Sequence, residues 1–164
     1  MSIVEPILYV VDTTVLSNYA RIRRPDLLRL ALGSNTVMTE AVRQELSVGE
    51  AGGSVPRFDW GWMRATVLTE LEQTLAHQLE EYVDLGEATC LAVALNRAGT
   101  LVTDDRGARR QARERHVALT GSIGILKLLI DGRHLAMWQA DEHLAAMIAE
   151  GYRSPVRKLD ELPD

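Results

Sequence analysis

The sequence predicts an α/β fold, a single domain with a central parallel sheet of about four to five short strands and helices on both faces. Three observations lead there. The chain has 164 residues, the size of one compact domain. At 46% apolar and 25% charged, its composition is that of an ordinary globular protein. Short β-rich runs alternate with helix-spaced segments from end to end, and no repeat, low-complexity block or linker interrupts them.

Ile7 to Val11 is an apolar, β-rich run stopped by Asp12-Thr13-Thr14, and Val15 to Arg23 has helical spacing. Pro25 opens a second helix, with Leu27, Leu28, Leu30 and Ala31 inward and Gly33 closing it. Thr36 to Met38 reads as the second strand, and Thr39 as N-cap of a helix from Glu40 to Leu46. Gly49 to Phe58 holds three glycines and a proline and reads as a loop. Ala65 to Leu68 is the next strand candidate, followed by a helix from Thr69 to about Tyr82.

Asp84-Leu85-Gly86-Glu87 opens a helix to Arg97 with almost no polar face, which predicts that it is buried. Thr100 to Thr103 is a strand, and Asp104-Asp105 leads into an Arg-rich helix from Arg106 to Arg115. Val117 to Leu119 is the last strand. Ile123 to Ile130 and His134 to Glu150 are helices separated by Asp131-Gly132-Arg133. Residues 1–153 are expected to form the domain, and 154–164 a loosely held tail.

Composition excludes several classes. No apolar stretch is long enough for a membrane span, and Met-Ser-Ile-Val-Glu-Pro does not read as a secretory leader, so a cytoplasmic location is expected. A single cysteine, Cys90, leaves no internal disulfide and no Cys-rich metal site. It is expected to be a small buried apolar residue. His77, His116, His134 and His143 have no ligand-like spacing. The net charge of −5 opposes a uniformly nucleic-acid-attracting surface. The distribution is uneven, however, because five of the sixteen arginines fall between Arg106 and Arg115.

In an open α/β sheet, sites form outside the carboxyl ends of the strands. Asp12 follows the first strand, Asp104 and Asp105 follow the strand ending at Thr103, Glu87 lies in a helix first turn, and Glu45 lies on the helix after the second strand. Carboxylates held together repel one another unless a cation sits between them. An all-oxygen set without His or Cys suits Mg2+ or Mn2+, and such a site hydrolyses phosphodiesters. Each acid also has a purely structural reading: Asp12 as a turn residue, Asp84 and Glu87 as a capping box, Asp105 as an N-cap, Glu45 as a solvated helix residue.

Four segments resemble the PIN-domain family, in particular its VapC-like toxin branch. They are Val10 to Asn18 with Asp12, Val42 to Leu46 with Glu45, Leu85 to Ala94 with Glu87, and Leu101 to Arg109 with Asp104 and Asp105. Order and spacing agree over roughly residues 7 to 150. The resemblance implies a Mg2+- or Mn2+-dependent endoribonuclease acting on RNA, often neutralised by a cognate antitoxin and often a homodimer. It implies Asp12, Glu45, Glu87 and Asp105 as catalytic acids, with Asp12, Glu87 and either Asp104 or Asp105 on the metal. The family's Thr-x-Asp register points to Asp105, and proximity to the strand end points to Asp104. Thr13 and Thr103 become hydroxyls that orient a carboxylate or a water.

Arg106, Arg109, Arg110 and Arg113 share a helix face beside the last acid, as phosphate contacts or as a solvated face. Phe58, Trp60 and Trp62 are candidates for stacking on bases or for packing under the loop. Leu27, Leu28, Leu30 and Trp138 are candidates for core or for a partner groove. Thr14 stands where a haloacid dehalogenase-type hydrolase needs its second acid, the acid pair falls too late for a receiver domain, and no phosphate-binding glycine loop is present. The competing reading is a PIN-like binding or regulatory module that cleaves little.

Overall fold

The computed structural model describes residues 4–163; residues 1–3, the start of the segment read as lacking a leader, and Asp164 of the tail lie outside the described residues. Five strands form one parallel sheet: β1 (Tyr9–Val11), β2 (Thr36–Thr39), β3 (Arg64–Thr66), β4 (Thr100–Val102) and β5 (Ala118–Thr120). Eight helices surround it: α1 (Thr13–Arg21), α2 (Asp26–Leu32), α3 (Glu40–Ala51), α4 (Glu70–Leu79), α5 (Leu85–Asn96), α6 (Arg106–Glu114), α7 (Ser122–Asp131) and α8 (Met137–Ala149). None among the described residues is long and apolar enough to cross a membrane.

The strand order is β3-β2-β1-β4-β5. The chain therefore winds outward from β1 to β3, then returns past β1 to β4 and β5. The reversal opens a crevice between the carboxyl ends of β1 and β4, where open α/β sheets bind their ligands. Val11 pairs with Val102, and the Asp12 amide donates to the Val102 carbonyl at 2.9 Å. Asp12 and Thr103 consequently leave the sheet side by side.

Burial explains the elements. Val10, Val11, Leu101 and Val102 of the two central strands are fully buried. The apolar helix α5 lies across β1, β2 and β4, with Ala88 and Cys90 to Ala94 sealed inside. The opposite face receives Val15, Leu16 and Tyr19 of α1, and Ile125, Leu126 and Leu129 of α7. The Tyr19 hydroxyl donates to the Ser122 carbonyl at 2.9 Å, tying α1 to the start of α7.

Two helix boundaries differ from the sequence reading, each for a local reason. Helix α3 continues through Gly49 to Ala51, because Gly49 packs against the returning loop and a β-carbon there would lie 3.2 Å from Val55 Cγ2. Helix α8 starts at Met137 and not at His134. The amides of His134 and Leu135 both bond back to Leu129 O, which keeps them in the α7 terminus, and the Ala136 amide is capped by Gln139 Oε1 at 2.8 Å. In α2, Leu27, Leu28 and Leu32 face inward while Leu30 is exposed, as is Trp138. Phe58, Trp60 and Trp62 are partly buried against the core, and Trp60 donates to Glu50 Oε1 at 3.3 Å. Beyond α8, a 3-10 turn at Leu159–Glu161 buries Leu159, whose amide donates to Asp141 Oδ1 at 2.9 Å.

Candidate active site

Asp12 sits at the mouth of the crevice and is 1% exposed. Its Oδ2 accepts hydrogen bonds from Thr103 Oγ1 at 2.8 Å and Thr14 Oγ1 at 2.9 Å. Burial pushes the Asp12 carboxyl above its ordinary range, and these two hydroxyls oppose that push. The same threonines brace the strand on the other side of the crevice. Thr14 Oγ1 accepts from the Asp104 amide at 3.0 Å, and Thr103 Oγ1 accepts from the Asp105 amide at 3.1 Å. Thr14 was not singled out in the sequence; its signal was only its place two residues beyond Asp12.

Glu45 reaches the crevice from α3. Thr13 Oγ1 donates to Glu45 Oε2 at 2.7 Å, so the two consecutive threonines after Asp12 hold two different acids. Gly86 makes room for this carboxylate: a β-carbon at residue 86 would come within 2.7 Å of Glu45 Oε2. Glu87 occupies the first turn of α5, and its Oε2 accepts from the Asp84 amide at 2.8 Å, the capping contact expected from spacing alone. Desolvation, then the charges of Asp105 and Asp12, raise the Glu87 carboxyl to about 7. Asp105 is the N-cap of α6, its Oδ2 accepting from the Ala108 amide at 2.8 Å. The structural readings of Glu87 and Asp105 thus coexist with a place at the rim. Each of Glu45, Glu87 and Asp105 is pinned by one protein hydrogen bond on one oxygen.

Asp104 differs from Asp105. Its Oδ1 accepts from the Ser122 amide at 2.9 Å, and its Oδ2 from Asn18 Nδ2 at 2.9 Å and from Ser122 Oγ. Asp104 therefore clamps α1 to the start of α7, with its lone pairs largely committed. Asn18 and Ser122 carry no local sequence signal for this role, because the contacts span 86 and 18 residues.

A groove of about 570 Å3 opens beside Asp12 and Glu87, which do not line it; its walls are Thr13, Thr14, Glu45, Asp104, Asp105 and Arg106, with Arg21, Tyr152 and Arg153 also among them. The structure separates the four arginines grouped by helical spacing. Arg106 lines the groove, and Arg109 donates through Nη1 to the Thr103 carbonyl at 2.9 Å. Arg110 pairs with Glu114 at 3.1 Å, and Arg113 is exposed on the outer part of α6. Cys90 lies buried beneath the acids, with its thiol pushed up by desolvation and by the charges of Asp12, Glu45 and Glu87.

Among the described residues, no three His, Cys, Asp or Glu side chains are already drawn together as an ion cage. The donor set nevertheless fits a hard divalent cation. It is all carboxylate and hydroxyl, without thiolate or imidazole, and two of its carboxyls are raised in a way that a cation would reverse. The fold supplies a crevice, an acid at a strand end (Asp12), two at helix starts (Glu87 and Asp105), one in the middle of α3 (Glu45), and a neighbouring arginine.

No curated protein matches the chain. A family model described as PIN domain matches residues 8–162, from before β1 to beyond the 3-10 turn. PIN domains are generally nucleases, and PIN nucleases generally use divalent metals. With a match over nearly its whole length, the chain belongs to the PIN-domain family.

Proposed function

We propose that this protein is a Mg2+- or Mn2+-dependent endoribonuclease, with Asp12, Glu87 and Asp105 holding the metal directly or through water. The observation that carries the proposal is the gathering of Asp12, Glu45, Glu87 and Asp105 at the β1/β4 crevice, where mutual charge and desolvation hold Glu87 at about 7. When bound, the metal would relieve that repulsion, polarise the phosphoryl oxygens and stabilise the leaving oxygen.

The chain's own residues have separate tasks. Thr14 and Thr103 fix the orientation of Asp12 and favour its ionised form. Thr13 holds Glu45 over Gly86, where the carboxylate faces the groove and orients the attacking water. Arg106 supplies a cation at the groove wall for the phosphate backbone, which reconciles an acidic site with an anionic substrate. Of the two adjacent aspartates, Asp105 is assigned to the metal, since Asp104 is occupied by Ser122 and Asn18. The choice of RNA, and the role of a VapC-like cytoplasmic toxin working as a homodimer against a cognate antitoxin, rest on the resemblance of the four acid-bearing segments.

The test is incubation of single-stranded RNA, and DNA of the same sequence, with the protein in Mn2+, in Mg2+ and in excess chelator. Metal-dependent cutting of RNA within the chain supports the proposal. Cutting that survives chelation, or that prefers DNA, contradicts it.

A further inference from the structure

Beside the acidic groove lies a second cavity of about 420 Å3, within the size range of small-ligand sites. The two share Asp104, Arg106, Tyr152 and Arg153, so they adjoin. The groove balances Glu45, Asp104 and Asp105 against Arg21, Arg106 and Arg153, whereas the second cavity is mainly cationic. Among the described residues, the second cavity is lined by four cations, Arg106, Arg109, Lys127 and Arg153, and by one carboxylate, Asp104, which is already engaged by Ser122 and Asn18. None of the four cations forms an ion pair among the described residues, whereas Arg24, Arg43, Arg57, Arg97 and Arg110 all do. In a chain of net charge −5, four unpaired cations around one hollow are a concentrated positive field.

Most of the remaining walls are apolar or aromatic, Leu119, Ile123, Pro155, Leu162 and the half-buried Tyr152, with the polar Thr120 beside them. Gly121 and Gly124 at the start of α7 also line it, so the positive end of that helix opens toward the same space. Gly121 is tightly enclosed, since a β-carbon there would lie 2.9 Å from Arg109 Nη1 and 3.0 Å from the Thr103 carbonyl oxygen. Cationic groups around an apolar and aromatic wall match a nucleotide, with its charged phosphate and flat base.

We propose that this cavity is a subsite for one nucleotide of the single strand that runs along the neighbouring groove. Arg106, Lys127 and Arg153 bind its phosphate, and its base lies against Tyr152 and Ile123. Arg106 and Arg153 face both cavities and carry the strand from the acidic groove into the subsite. The segment after α8 thereby takes part in substrate recognition. The identity of the strand as RNA rests on the ribonuclease proposal, but binding in the subsite requires neither metal nor cleavage.

The experiment measures anisotropy of a labelled single-stranded hexaribonucleotide in excess chelator. It compares wild type, Lys127→Glu/Arg153→Glu, and Arg23→Glu/Arg29→Glu, the last carrying the same charge change outside the cavity lining. Binding should weaken about tenfold or more in the first variant and less than about threefold in the second. The first variant should also lose roughly 0.7 in salt-dependence slope for each phosphate contact removed. Lys127→Arg/Arg153→Lys should restore wild-type affinity, which shows that the charge and not the fold was lost. Equal weakening by the two charge reversals, or no binding by wild type, overturns the subsite. Binding that follows the expected pattern without any metal-dependent RNA cutting sinks the ribonuclease reading and leaves the subsite standing.

Discussion

Gly86 on α5 leaves the space in which the Glu45 carboxylate of α3 lies, within 2.7 Å of where a β-carbon at residue 86 would stand. Forty-one positions apart in the chain, the two meet because α3 and α5 pack together at the carboxyl edge of the sheet. Gly86→Ala should therefore displace Glu45. Alanine favours the helix, by up to about 1 kcal/mol over glycine, so the collision and the propensity offset each other in stability. The expected result is a melting temperature near wild type with RNA cleavage reduced roughly 100-fold, the size of effect that a misplaced catalytic group produces. Cleavage kinetics and thermal melting on one preparation check this.

Thr103 touches both strands of the crevice, donating to Asp12 and accepting from the Asp105 amide. Thr103→Val keeps the shape and removes both bonds. Metal affinity or activity should fall about 10- to 100-fold, while Thr103→Ser should retain most of it. Titration with Mn2+ distinguishes a weakened site from a slower one.

The Glu87 carboxyl, raised to about 7, makes metal-free stability depend on pH in a defined direction. In the unfolded chain Glu87 ionises near 4.5, so between 4.5 and about 7 the folded protein retains a proton that the unfolded chain has lost. Stability should fall as pH rises through that window and then level off. Glu87→Gln keeps an acceptor for the Asp84 amide and removes the charge. In chelator, its melting temperature should exceed wild type at pH 8 and match it near pH 4.5. Saturating Mn2+ should raise the wild type selectively and shrink the gap at pH 8.

Glu72 serves the fold and not the site. It is fully buried, caps α4, and receives Arg97 Nη2 at 2.8 Å and Nε at 2.9 Å, which hold its carboxyl down at about 2. A lowered carboxyl stabilises the fold above its unfolded value near 4.5, and that contribution is lost as pH falls toward 2. Glu72→Gln should cost about 3 kcal/mol at pH 7, much less near pH 2, with unchanged cleavage per folded molecule. Denaturant unfolding at both pH values measures it.

Much of the candidate site's geometry was legible in the sequence because strand ends and helix starts are local features. Asp12, Glu87 and Asp105 all sit where a β-rich run stops or an apolar helix begins, and the alternation of elements placed those points on one edge of the sheet. What was not legible depends on contacts across the fold. Nothing near Asp104 marks it as the acceptor for Asn18 and Ser122, and nothing near Thr14 distinguishes it from Thr13, although one holds Asp12 and the other Glu45. The four arginines of α6 share a face by helical period, yet that helix buries Ala108, Gln111 and Ala112, which leaves Arg110 and Arg113 on the outside and draws Arg109 in to the Thr103 carbonyl. The cationic cavity escaped because Lys127 on α7 and Arg153 after α8 are distant in sequence from Arg106, and only the folded chain brings them together.

The most direct measurement of the central claim is RNA cleavage in Mn2+ by wild type, Glu87→Gln, Asp105→Asn and Asp104→Asn, each confirmed as folded by its melting curve. Wild type should cut only when metal is present, and Glu87→Gln and Asp105→Asn should not cut. Asp104→Asn should retain cutting, with its stability lowered by about 1–3 kcal/mol through the lost Ser122 and Asn18 contacts. Equal cutting by wild type and Glu87→Gln, or no cutting by a folded wild type with metal bound, would contradict the assignment of these acids to metal-dependent RNA hydrolysis.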